Sequence, residues 1–160
     1  MQKSKAPSRE QCRDMSRNCL SFNLRKTERI ITRHYDSYLA PTGITAVQLP
    51  VLAIVATLES PSARAITREL GIDRSTLSRN LAVLERDGLV ELGASSGPKP
   101  GVISLTAKGR ETLRRAHPRW REAHDAVEKV IAGGNFAGVL QTLKQLRRQA
   151  RAFAEEEEEA

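Results

Sequence analysis

The sequence predicts a mainly α-helical fold with one small antiparallel β-hairpin, and three observations carry that prediction. Apolar residues recur at spacings of three and four along most of the chain. Two short β-type runs, Leu89–Leu92 and Val102–Leu105, flank GASSGPKPG, a segment dominated by turn formers. Aromatic residues make up only 4% of the 160, against 39% hydrophobic, so the core rests on Leu, Ile, Val and Ala, as in helical proteins.

Residues 1–10, rich in Lys, Ser, Pro and Arg, read as a flexible arm. From there to Ala40 one long helix is expected. Leu20, Leu24, Thr27, Ile31, Tyr35 and Tyr38 form a single stripe on it. Pro41-Thr42-Gly43 ends that helix, because proline cannot donate to the ladder and disfavours helix in the residue before it. A second helix begins near Thr45 and carries Val47, Leu49, Leu52, Ile54, Val55 and Leu58. It is apolar nearly all round and expected to be buried, with Pro50 in its first turn or so. Ser62 is placed to cap a short helix, Ala63 to Leu70, and Gly71 supplies the left-handed position after it. Asp73 then caps a helix from Arg74 to about Asp87, closed by Gly88. Beyond the hairpin, Thr106 caps a long helix carrying Leu113, Ala116, Trp120, Ala123, Val127 and Val130, which Pro118 is expected to kink or split. Gly133-Gly134 makes a break. The last helix holds Val139, Leu143, Leu146, Ala150 and Phe153, and the Glu155–Glu159 run lies in a solvated acidic tail.

Lys and Arg number 26 against 19 acids, a net +7. Five of those acids fall in Glu155–Glu159, where there is no base, so residues 1–154 carry 26 bases against 14 acids, a net +12. Such a body attracts phosphate polyanions or an anionic membrane surface. No apolar stretch approaches the roughly 20 residues a membrane span requires. The polar start lacks the apolar region of a secretory signal, so a cytoplasmic protein with no membrane partner is expected. Cys12 and Cys19 are too few for a disulfide framework and are not spaced for a metal. Gly-rich phosphate loops and the H-E-x-x-H and G-x-S-x-G motifs are missing, and His117 and His124 lie too far apart to share a ligand. No enzyme activity, cofactor or metal is expected.

A short helix, a Gly-containing turn, a second helix and a hairpin follow one another in AITRELGIDRSTLSRNLAVLERDGLV and the residues after it. The core face reads Ile66, Leu70, Ile72, Leu77, Leu81, Leu84 and Leu89. The turn Gly71-Ile72-Asp73 is tight enough to hold the helices at a steep angle, which makes the unit a winged helix-turn-helix. Arg74, Ser75, Thr76, Ser78 and Arg79 cluster at the start of the second helix, away from the Leu stripe. Arg can pair two donors with guanine O6 and N7 or clamp a phosphate, Ser and Thr can reach either, and a major groove about 12 Å wide accepts such a helix. Duplex DNA is therefore the expected partner. Lys99, stiffened between Pro98 and Pro100, is placed to put one cation in a minor groove beside it.

At these residues the sequence resembles the multiple-antibiotic-resistance regulator (MarR) family. The landmarks are Leu39-Ala-Pro-Thr-Gly-Ile-Thr45, Leu70-Gly-Ile-Asp-Arg-Ser-Thr-Leu-Ser-Arg-Asn-Leu81, Leu84-Glu-Arg-Asp-Gly-Leu-Val90 and Ser104-Leu-Thr-Ala-Lys-Gly109. The likeness runs from about Cys19 to Phe153. It implies a homodimer with its first and last two helices intertwined. It also implies recognition helices in successive major grooves of a pseudo-palindromic operator, repression, and release by a small, commonly phenolic, effector. Two departures stand out. Where the family's wing tip carries Asp and Arg two apart, this chain has Gly97 and Lys99, which keeps the charge and loses the planar fork. Where the peroxide-sensing branch has a reactive Cys before a Phe, this chain has Ser21 before Phe22; Cys19 is expected to be a small packed side chain.

Residues 42–106 form the expected DNA-binding domain, with 11–41 and 107–154 as dimerisation helices and 155–160 as tail. The terminal stripes are too long for one wing domain to cover, which favours a homodimer. Tyr38 and Trp120, with Tyr35, His34 and His117, are candidates to line an effector pocket. Two other functions remain open: a winged-helix module for protein–protein assembly, and a thiol-based redox sensor through Cys19.

Overall fold

The computed structural model describes residues 6–93, 101–131 and 134–158. The described chain forms one compact unit up to Trp120 and a second from Arg121 onward.

The expected first helix is two helices, α1 (Arg9–Asn18) and α2 (Leu20–Leu39). Ser8 opens α1 with a capping box: its hydroxyl accepts from the Gln11 N–H at 3.2 Å, and its own N–H donates to Gln11 Oε1 at 2.8 Å. Arg9 and Glu10 thus belong to a helix rather than to the arm. The break falls at Cys19, whose backbone is extended. The Asn23 amide stabilises it by donating to the carbonyls of Arg17 and Cys19 at 2.9 and 3.0 Å. A short 3-10 turn, Ala40–Thr42, follows α2 and ends at Gly43, whose φ of 81° favours glycine.

Helix α3 (Gln48–Thr57) buries Val51, Leu52 and Val55. Val47 and Leu58, at its ends, are exposed, so burial is less complete than its composition predicts. The Asp36 carboxylate accepts from the Ala46 N–H at 2.7 Å and ties the end of α2 to the approach to α3. Helix α4 (Ala63–Leu70) starts at Ser62, which accepts from the Ala65 N–H, and stops at Gly71 in the left-handed region. Helix α5 (Arg74–Arg86) starts at Asp73.

Strands β1 (Val90–Leu92) and β2 (Ile103–Leu105) pair antiparallel, Val90 opposite Leu105 and Leu92 opposite Ile103. The segment before α4 joins them: Ser62 bridges to Val102, and the Ile103 N–H donates to the Pro61 carbonyl at 2.9 Å. A single core collects Leu39, Leu52, Ile66, Leu77, Leu84, Val90 and Ile103, all buried.

Helix α6 (Ala107–Val130) contains Pro118 without ending there, although proline leaves the carbonyl four residues back without its helical partner. Of the two outcomes expected, a kink or a split, the split does not occur. Leu113, Ala116 and Trp120, on either side of the proline, all pack on or in the core and hold the helix through it. At its start the Thr106 hydroxyl donates to the Gly88 carbonyl at 2.7 Å and accepts from the Gly109 N–H at 2.9 Å. The hairpin base and the helix are thereby closed together.

In the second unit, α7 (Phe136–Glu158) is preceded by Gly134 at φ 68° and begins where the Asn135 amide oxygen accepts from the Gly138 N–H. Its backbone continues through Glu155–Glu158, where a tail was expected. The His124 and Phe136 rings meet edge to face at 4.9 Å.

Candidate nucleic-acid interface

Helix α5 is two-faced. Leu77, Leu81 and Leu84 point into the core. Arg74, Ser75, Ser78 and Arg79 are exposed, and Thr76 is half-buried. All five candidates thus sit at one end of one helix, held outward by a leucine stripe that cannot rotate without leaving the core.

The side chains there are not loose. Asp73 Oδ1 accepts from the Thr76 N–H at 2.8 Å and from the Ser75 hydroxyl at 2.5 Å, and Asp73 Oδ2 accepts from the Thr76 hydroxyl at 2.7 Å. Arg79 Nη2 donates to Thr76 Oγ1 at 3.2 Å. Hydrogen bonds from Ser75 and then Thr76 hold the Asp73 carboxyl far below its usual range. Sequence reading assigned Asp73 to capping alone. The local pattern Asp-x-Ser-Thr is the signal for its wider role, since short polar side chains bond readily to neighbours two and three residues on.

Beside α5 lies a cleft of about 440 Å³ lined by Ser62, Arg64, Thr67, Arg74, Gly93 and Val102, among others. Arg64 is exposed on the first turn of α4 and was not foreseen; its place next to Arg74 across the turn depends on the tertiary fold. Lys99 and Gly97 lie outside the described residues.

A larger, mostly apolar cavity of about 660 Å³ is formed within the first unit by Ile31, Tyr35, Leu49, Ala53, Leu113 and Trp120, with Thr32, Thr57 and His117 among its polar residues. Of the two foremost ligand candidates, Trp120 lines this cavity and Tyr38 does not. Tyr38 continues the Ile31–Tyr35 stripe but lies three residues further along α2, about 4.5 Å on at the usual helical rise. It packs instead against His34, the two rings tilted and their centroids 5.0 Å apart. Burial pushes the Tyr35 phenol above its ordinary pKa.

Cys12 and Cys19 are both exposed free thiols, so Cys19 is not the packed side chain expected. Among the described residues no His, Cys, Asp and Glu cluster could hold a metal ion, and no helix is long and apolar enough to cross a membrane.

Residues 42–99 match the model of the MarR family. The transcriptional regulator MosR of M. tuberculosis, solved in complex with DNA, is 32% identical, with 84% of this chain and 97% of that one covered and a TM-score of 0.76. The transcriptional repressor CouR was solved on a 23-mer DNA duplex and again bound to p-coumaroyl-CoA. In each case it is 25% identical over 84% of this chain and 95% of that one, with a TM-score of 0.72. Comparison with curated proteins found no match. A leucine-anchored α5 with its cationic end turned outward, a hairpin beside it, and these similarities together place the chain in the MarR family of winged-helix, non-enzymatic, DNA-binding transcriptional regulators.

Proposed function

We propose that this protein is a cytoplasmic, homodimeric repressor that occupies a pseudo-palindromic DNA duplex and leaves it when a small aromatic ligand binds. The observation that carries the reading is the two-faced α5, with Leu77, Leu81 and Leu84 buried and Arg74, Ser75, Ser78 and Arg79 exposed at its start. That end enters the major groove, where guanidinium forks and hydroxyls meet base edges and phosphates. Lys99, between the two strands in sequence, contacts DNA beside the groove. CouR, bound to DNA in one structure and to p-coumaroyl-CoA in another, supports release by an aromatic acyl or phenolic compound. The apolar cavity with Trp120 on its wall suits the aromatic part of such a ligand.

Residues 42–106 act as the reader, and 11–41 and 107–154 as the dimerisation helices. Exposed apolar side chains on the latter support a twofold partner: Leu20, Leu24 and Ile30 on α2, and Val139 and Leu140 on α7. Leu24→Glu is expected to raise the dimer dissociation constant about tenfold, because a charge replaces buried apolar surface at the interface. Sedimentation equilibrium measures it, and an unchanged constant removes Leu24 from the interface.

A gel shift tests the main reading. Duplex DNA from upstream of the protein's own gene should shift and resist competition by unrelated DNA, and p-coumaroyl-CoA or a simple phenolic acid should reverse the shift. Equal competition by unrelated DNA contradicts sequence-specific regulation.

A further inference from the structure

We infer that Asp73 commits the hydroxyl proton of Ser75, so that Ser75 meets DNA as a hydrogen-bond acceptor and reads an exocyclic amino group, of adenine or cytosine, in the major groove. The inference rests on the reading of α5 as the recognition helix.

A serine hydroxyl has one proton and two lone pairs, and an ionised carboxylate only accepts. The Ser75 proton lies in a bond to Asp73 Oδ1 at 2.5 Å, and the Thr76 proton in one to Asp73 Oδ2 at 2.7 Å. Thr76 also accepts from Arg79 Nη2 at 3.2 Å and is half-buried. Ser75 is exposed, and among the described residues no donor reaches its oxygen. What Ser75 offers outward is therefore lone pairs.

In the major groove the donors are adenine N6 and cytosine N4, whereas guanine N7 and O6 and thymine O4 only accept. A Ser75 whose proton is engaged bonds the first pair and not the second. Phosphate oxygens also only accept, so the same commitment turns Ser75 from backbone contact to base reading. The Asp73 charge, exposed at the same helix end, repels phosphate and reinforces that choice. The hydrogen bonds that lower the Asp73 pKa keep it ionised at any pH where DNA is duplex.

Selection of bound duplexes from a random pool tests this with the full-length wild type, Ser75→Ala and Asp73→Ser. Serine at 73 keeps one oxygen to cap the Thr76 N–H, but it is neutral and carries a proton of its own, so it no longer fixes which way the Ser75 hydroxyl points. The wild type should prefer adenine or cytosine at one position of each half-site. Ser75→Ala should level that position alone, a loss of about five- to tenfold in discrimination. Asp73→Ser should level the same position, or turn it toward guanine or thymine, while other positions and affinity for random DNA stay within about twofold. If Asp73→Ser fails to fold by circular dichroism, Asp73→Gly takes its place with the same expectation, since glycine is tolerated at the cap and leaves no side-chain oxygen for Ser75. The proposal is overturned if the Asp73 variant keeps the wild-type preference where Ser75→Ala relaxes it, or if Ser75→Ala relaxes none. A wild type that selects no duplex sequence at all overturns the recognition-helix reading itself and this inference with it.

Discussion

Replacing Arg79 by Ala is expected to weaken operator binding about tenfold to a hundredfold and to leave folding and dimerisation intact. Arg79 is exposed, and Thr76 accepts from one guanidinium nitrogen at 3.2 Å, which restricts the side chain and leaves donors for DNA. A fork on guanine O6 and N7 is worth about 1–3 kcal/mol. The fold is insensitive because Arg and Ala are both good helix formers and no core contact is lost. Arg79→Lys should not restore affinity, since a single ammonium cannot make the paired contact. Fluorescence anisotropy over a series of salt concentrations separates two roles. If Arg79 reads a base, the variant keeps the wild-type salt slope; if it clamps a phosphate, the slope falls by about one. Affinity unchanged at every salt concentration removes Arg79 from the interface.

Gly109→Ala is expected to destabilise the first unit by about 2–4 kcal/mol, a melting-point drop of roughly 5–15 °C. A Cβ at this position would overlap the Leu89 carbonyl oxygen, a backbone atom that cannot swing aside as a side chain can. Leu89 is itself buried, and its carbonyl accepts from the Thr106 N–H at 3.2 Å. Relief of the overlap must therefore part α6 from the hairpin base or break that bond. The sign is diagnostic: in an open helical position Gly→Ala stabilises by up to about 1 kcal/mol. Thermal unfolding by circular dichroism measures it, and a variant as stable as wild type contradicts the close packing of α6 on the hairpin base at Leu89.

The same few residues show which parts of the molecule could be read in advance. Helices α4 and α5 were legible because their starts and stops are local chemistry: Ser62 and Asp73 accept from N–H groups three residues on, and Gly71 and Gly88 take left-handed backbone. The outward face of α5 followed from the leucine spacing. The break at Cys19 was not legible, because no proline or glycine marks it and the amide that stabilises it comes from Asn23. Pro118 left a kink or a split open, and the helix is not split, since core packing on both sides outweighs one lost backbone bond. The cavity was half legible. Of the two candidates Trp120 lines it and Tyr38 does not, because periodicity places residues around a helix axis and not along it. Direction of proton donation within Asp73, Ser75 and Thr76 depends on side-chain geometry that spacing leaves open.

The central claim is that two copies of α5 occupy the major groove one helical turn apart, and methylation interference tests it most directly. Operator DNA methylated sparsely at guanine N7, which faces the major groove, is sorted into protein-bound and free fractions. The predicted result is two clusters of guanines depleted from the bound fraction, their centres about 10 base pairs apart. Bound and free fractions with the same methylation pattern, or a single cluster, would contradict paired major-groove reading.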